Sequence, residues 1–125
     1  SIMEVQCVRW AIERIEKKQM ELLAETFEFM QFYTMSNDLN KILKINEGFD
    51  SIIYNAAHSK ELERRLHRYN FIIKYANADI KYPLNYLPTV LEEHRAIFDA
   101  FTAGDPDAGA EATEIHMYKS MLRRK

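Results

Sequence analysis

The chain has 125 residues, a formal net charge of −2 and 47% hydrophobic residues, with only three glycines and three prolines. A chain of this length can bury a sizeable core, and its composition favours helix over sheet. The slightly acidic balance lacks the basic footprint that binding to nucleic-acid phosphates requires. A single Cys7 excludes an internal disulfide, and neither a signal peptide nor a membrane span is recognisable. We therefore predict an all-α, cytoplasmic protein.

The first third of the chain carries apolar residues at helical spacing over residues 5–15 and again over residues 20–30. No Gly or Pro separates these stretches, so two helices and one bent helix both fit. Residues 36–38, Ser-Asn-Asp, are strong N-cap types and predict a helix break. One stripe cannot bury all the large apolar groups before that break, which predicts dimerisation through an apolar helix face containing Phe27, Phe29, Met30, Phe32, Tyr33 and Met35.

The next predicted helix has an apolar stripe that two polar residues interrupt. Asn46 and Asp50 lie on the same face as the apolar residues Ile42, Ile45, Phe49, Ile53 and Ala56. A carboxylate on a core face is costly unless it is paired or bound to a metal, so we expect Asp50 to meet His94 or His116. Gly48 in this helix either marks the close approach of another helix or is simply tolerated.

His58 and Ser59 are predicted to end that helix and to cap a fourth helix with an apolar stripe over residues 62–76. This helix also carries a basic cluster, which is either a solvated face or a source of one arginine for an anionic ligand. Arg65, with Tyr69 one turn later, forms the candidate effector-binding pair. The cluster comprises Arg64, Arg65, His67 and Arg68.

Two more helices complete the pattern. Pro83 and Pro88 mark a connector, and the helix after it places His94 among apolar residues. Residues 104–106, Gly-Asp-Pro, provide a C-cap, an N-cap and a favoured first helical residue, so one helix ends and the last begins there. His116 follows Ala108 and Ala112 at four-residue steps. A buried histidine on its own is more often a hydrogen-bonded core residue than a ligand.

Three segments together resemble a known family: residues 46–57 (NEGFDSIIYNAA), residues 91–105 (LEEHRAIFDAFTAGD) and the last helix up to His116 and Met117. They are similar to the FCD ligand-binding domain of GntR-family transcription regulators, and residues 3–11 resemble its opening helix. The resemblance implies an antiparallel bundle of about six helices, usually dimeric, that senses a small molecule and controls an N-terminal winged-helix DNA-binding domain. We expect residues 1–125 to form one effector-binding and dimerisation domain, with the DNA-binding domain outside this sequence.

The resemblance also implies a divalent metal. Many members of the family hold one through an Asp or Asn, a His four residues later, and two further His from the late helices. The matching positions are Asn46, Asp50, His94 and His116. Asp50 departs from the family pattern, in which His is usual, but amide, carboxylate and imidazole groups all bind ions such as Zn²⁺, Ni²⁺ or Mn²⁺. The alternative is a metal-free polar pocket.

Three functions are compatible with these residues. The first is a homodimeric sensor of a small organic acid whose carboxylate completes the metal's coordination, with contact to DNA only through the other domain. The second is a metal-dependent enzyme, against which the sequence lacks the Glu-x-x-His pairs and the His-Glu-x-x-His motif of known helical metalloenzymes. The third is a structural dimerisation domain, which would leave the buried polar residues without a purpose. We predict the sensor, not an enzyme, with no membrane partner.

Overall fold

The computed structural model of the chain describes residues 2–76 and 86–123, and this part of the chain is helical without any strand. The all-α prediction is confirmed. None of the described helices is long and apolar enough to cross a membrane. The six helices are α1 (Ile2–Arg14), α2 (Lys17–Met35), α3 (Leu39–Ala56), α4 (Lys60–Ala76), α5 (Tyr86–Ala103) and α6 (Pro106–Arg123).

The break between α1 and α2 settles the alternative that the sequence left open, because two separate helices form. The Gln19 side chain accepts a hydrogen bond from the Glu16 backbone N–H at 2.9 Å, which caps the start of α2. The same side chain donates to Asn55 Oδ1 at 2.7 Å, and Arg14 donates to the Ala57 carbonyl at 2.7 Å. The polar cap and the contacts with the end of α3 therefore stabilise a break between α1 and α2, although no Gly or Pro lies there.

The remaining helix boundaries follow the predicted caps. Gly104 has a φ of +64°, as expected for a residue that ends a helix. The prediction that Pro88 belongs to the connector is wrong, because α5 begins at Tyr86 and Pro88 lies in its first turn, where no backbone N–H is needed. Pro83, the other connector residue, lies outside the described residues. Three side chains accept a backbone N–H in the next helix: Asp38 from Lys41 at 3.2 Å, Ser59 from Leu62 at 3.3 Å and Asp105 from Ala108 at 3.1 Å.

Five of the helices form a closed ring in which α1 packs against α6 and α3, α2 packs against α3 and α5, and α5 packs against α6. The fourth helix lies outside this ring, against α3 and α1. Phe27 stacks on Phe98 with ring centroids 4.9 Å apart, which joins α2 to α5. The most completely buried large side chains come from four of the helices: Cys7, Leu23, Met30, Ile42, Phe49 and Leu66.

Gly109, and not Gly48, marks the close approach between helices. A Cβ atom at Gly109 would overlap Ile12 Cδ1 and would lie 3.1 Å from Val8 Cγ1, so the contact of α6 with α1 depends on the missing side chain. At Gly48 nothing lies within 4 Å of such an atom. Of the two alternatives for Gly48, tolerance on a helix surface is the one that the structure supports.

These environments predict opposite effects for the same substitution at the two glycines. Gly109→Ala should destabilise the protein by about 1–3 kcal/mol, because the added methyl group overpacks the α1–α6 contact. Gly48→Ala, the matched control, should stabilise it by about 0.5–1 kcal/mol through higher helix propensity. Urea unfolding followed by circular dichroism measures both. Equal effects at the two positions would contradict the packing described for α1 and α6.

Candidate functional site

Two histidines from α5 and α6 meet inside the ring of helices. His94 is 2% exposed and His116 is partly buried, and their rings form an edge-to-face contact with centroids 4.8 Å apart. Phe49 of α3 packs edge-to-face on His94 at 5.3 Å. The tertiary structure therefore brings together His94 and His116, two of the predicted metal ligands. It also packs Phe49, the residue before Asp50, against His94.

Each imidazole has its Nδ1 atom engaged. His94 Nδ1 lies 2.8 Å from the Val90 carbonyl oxygen, which can only accept, so Nδ1 carries the proton. The pKa of His94 is lowered to about 3, chiefly by burial and also by the positive charge that His116 carries when protonated, and the bond to Val90 opposes this shift only in part. The ring is therefore neutral at physiological pH, with its lone pair on Nε2.

The partner of His116 is a buried carboxylate that the sequence interpretation missed. Glu93 is 5% exposed, its Oε1 atom lies 2.6 Å from His116 Nδ1, and Arg123 donates to both carboxylate oxygens at 2.7 Å. Burial alone would raise the pKa of Glu93, but the hydrogen bonds from Arg123 and His116 outweigh it and lower the pKa to about 2. Glu93 is thus ionised and accepts, so His116 Nδ1 is the donor.

A signal for Glu93 was present in the sequence. Residues 90, 93, 97 and 100 follow one another at three- and four-residue steps and all face the core. Arg123 lies two helical turns after His116, on the same side of α6. Arg123 is one of the basic residues at the end of α6, and it forms this interior ion pair with Glu93.

The two polar residues of α3 face the same interior. Burial raises the pKa of Asp50 to about 7; His116 acts against this shift, whereas the charges of Glu4 and Glu47 add to it. One turn earlier, the Asn46 Oδ1 atom is buried and has no hydrogen-bond partner among the described residues. A buried oxygen without a donor is uncommon and calls for a cation, a water or a ligand.

The donor types suit a divalent cation, because two imidazoles, one carboxylate and one amide oxygen approach from three helices. Their present positions do not surround a single point, since no three His, Cys, Asp or Glu side chains of residues 2–76 and 86–123 lie close enough together to hold an ion. The structure therefore brings His94 and His116 into contact, and the described residues show no coordination sphere around them.

The second predicted pair lies elsewhere on the surface. The Arg65 side chain is 65% exposed and bonds Glu61 Oε1 at 2.7 Å, which is the solvated arrangement weighed for the basic cluster. Tyr69 is partly buried on the same helix. The effector-binding role of both residues stays a prediction.

The raised pKa of Asp50 predicts a pH-dependent penalty in the metal-free protein. In the unfolded chain Asp50 ionises near pH 4, whereas in the folded protein it holds its proton up to about pH 7. Its contribution to stability is therefore complete below pH 4 and is lost as the pH rises to about 7. Asp50→Asn, which stays uncharged, should become more stable than the parent over this window, by about 1–4 kcal/mol at pH 8.

Urea unfolding of chelator-treated parent and variant, at intervals between about pH 4 and pH 8, measures this difference. The matched control is Asp99→Asn, on the exposed side of α5. A difference between Asp50→Asn and the parent that does not change with pH would contradict the assignment.

Comparison with known proteins places this chain in a family. The chain matches the FCD domain family over residues 1–119, and no match was found among the curated proteins. Among solved structures, E. coli McbR/YncC superposes with a TM-score of 0.82 at 19% identity, which shows a shared fold; the match covers 98% of this chain and 62% of that chain. Because the family match extends over nearly the whole sequence, this chain belongs to the FCD domain family, the ligand-binding domains of GntR-family transcription regulators.

Proposed function

We propose that this domain senses a small organic acid and thereby controls DNA binding by a separate winged-helix domain in the cytoplasm. A divalent metal held by Asn46, Asp50, His94 and His116 takes part in binding the acid. Family membership supports a regulatory rather than a catalytic role. The match with McbR/YncC covers only 62% of that chain. We therefore propose DNA binding for the complete regulator and not for this domain alone.

The observation that carries the metal proposal is the state of the two histidines. Each ring donates through Nδ1, one to the backbone carbonyl of Val90 and one to the carboxylate of Glu93, so the neutral form of each ring has its lone pair on Nε2. Histidine ligands in metal sites commonly have their second nitrogen bonded to a carbonyl or carboxylate in this way. The unpartnered Oδ1 of Asn46 adds a third neutral donor, and Asp50 supplies the negative charge.

A bound divalent ion would supply a Lewis-acidic position to which the carboxylate of an effector can bind. The chain's own residues then have distinct tasks. His94 and His116 hold lone pairs toward the ion, and Asp50 gives up its proton on binding, because a ligand must be deprotonated. Asn46 contributes an oxygen that is otherwise unsatisfied.

Removing either histidine should abolish metal-dependent stabilisation. An ion that binds only the folded state at a hundred times its dissociation constant adds about 2.7 kcal/mol, which raises the melting temperature of a domain of this size on the order of 10 °C. We expect Zn²⁺ or Ni²⁺ to produce such a rise in the chelator-treated parent and little or none in His94→Ala or His116→Ala. Metal content by mass spectrometry and thermal melts provide the measurements.

His67→Ala is the matched control, because His67 is exposed on α4. It should keep the parent's metal content and melting temperature. The proposal fails if the parent gains no stability from added Zn²⁺, Ni²⁺ or Mn²⁺ and both core variants melt as it does. Calorimetric titration of small carboxylic acids into metal-loaded and chelator-treated protein distinguishes a metal-dependent effector site from a metal-free pocket. Equal affinity in both forms would support the metal-free pocket.

A second part of the proposal is a homodimer formed through the outer face of α2. Phe27 and Met30 of the predicted set are buried in the core, whereas Phe29, Phe32 and Met35 are 48%, 61% and 88% exposed. The exposed face adjoins a groove of about 580 Å³ between α2 and α3. Lys41 and Lys44 line this groove, and α2 carries exposed glutamates that could meet them in a second copy: Glu21, Glu25 and Glu28.

A charge in the centre of that face should separate the copies. Phe32→Glu should be monomeric at concentrations where the parent is a dimer, because the carboxylate would lose its hydration in the interface. Tyr118→Glu is the matched control, since Tyr118 is similarly exposed on α6. Sedimentation velocity decides the question: a monomeric parent, or dissociation caused by Tyr118→Glu instead, would overturn the α2 interface.

A further inference from the structure

Among the described residues, Glu93 and Arg123 form the most deeply buried pair of opposite charges, and neither residue is a proposed ligand of the metal or the effector. The Glu93 side chain is 3% exposed and the Arg123 side chain 16% exposed. Burying two charges is expensive, and well-packed apolar residues would stabilise a protein at least as well. The position of the pair therefore suggests a task other than stability.

One oxygen of Glu93 serves two donors at once. Oε1 accepts from His116 Nδ1 at 2.6 Å and from Arg123 at 2.7 Å, and Oε2 accepts from a second guanidinium nitrogen at 2.7 Å. The forked bond from Arg123 fixes the plane of the carboxylate, because both oxygens must face the guanidinium. Arg123 is itself positioned over the Tyr86 ring, 5.5 Å from its centroid, and bonds Ser120 Oγ at 3.1 Å.

We propose that Glu93 is the positioning residue for His116: it holds the imidazole in the Nδ1–H tautomer with its Nε2 lone pair available to a ligand, and Arg123 anchors Glu93 in that orientation. His94 needs no such residue, because the carbonyl of Val90 on its own helix does the same for it. His116 has no partner of that kind on α6, so its tautomer depends on a contact between helices. The inference rests on the proposed metal site.

The direct test is the tautomer of His116 in the metal-free protein. Nitrogen NMR of the neutral imidazoles at alkaline pH distinguishes a proton on Nδ1 from one on Nε2. We expect His94 and His116 both to be Nδ1–H in the parent. In Glu93→Gln, whose amide can also donate, His116 should shift toward Nε2–H, whereas His94 should not change.

A double variant keeps the test decisive if Glu93→Gln folds poorly or still accepts from the ring. Glu93→Leu combined with Arg123→Leu removes both charges together, an exchange that buried ion pairs often tolerate. We expect His116 to lose its Nδ1–H preference here as well. The matched control is Glu92→Gln, because Glu92 is exposed and pairs with Arg95 at 3.3 Å on the outer face of α5.

Metal affinity provides the second measurement, with Zn²⁺ as the probe. Loss of a hydrogen bond behind a histidine ligand typically weakens metal binding about 10- to 100-fold, so both Glu93 variants should bind Zn²⁺ that much more weakly than the parent and Glu92→Gln. An unchanged His116 tautomer in both Glu93 variants would overturn the positioning role. A parent that binds no Zn²⁺ would overturn the metal site instead, while the tautomer measurement would still decide the role of Glu93.

Discussion

The buried carboxylate of Glu93 is the interaction on which the interior of this domain depends. An ionised carboxylate is stable in the α5–α6 interface only if hydrogen-bond donors replace the water that it has lost. Burying it with a donor missing costs several kcal/mol. Arg123 and His116 provide those donors. Because both belong to α6, the last turns of that helix are tied to α5, and one histidine of the candidate site is oriented by the same contact.

The ring of helices determines which side chains can reach that interior. The break after Arg14 lets α1 pack against α3 and α6, while α2 packs against α3 and α5. The close contact at Gly109 then brings α6 against α1, so His116 reaches the interior from one side while α3 brings Asn46 and Asp50 from another.

The interior holds His94 and Asp50 in environments that favour their uncharged forms, whereas Glu93 is buried in its charged form. Burial keeps His94 neutral and raises the pKa of Asp50 to about 7, whereas Glu93 stays ionised because Arg123 balances it. A divalent ion would draw Asp50 into its ionised form, which couples metal binding to proton release.

The sequence by itself determined the helical class and most of the boundaries, because caps such as Asp38, Ser59 and Asp105 act within one turn and apolar spacing is a local property. The family was indicated separately, by the resemblance of three segments to the FCD domain. The sequence also singled out Asn46 and Asp50 as polar residues on an apolar stripe, whereas their role as metal ligands together with His94 and His116 is implied by the family resemblance and stays a prediction. Only the tertiary structure decided that Gln19 caps α2, that Gly109 rather than Gly48 is a contact point, and that Glu93 and Arg123 complete the interior. Each of these features depends on which helices become neighbours. Apolar periodicity predicts which face of a helix is buried, but it does not predict which other helix packs against that face.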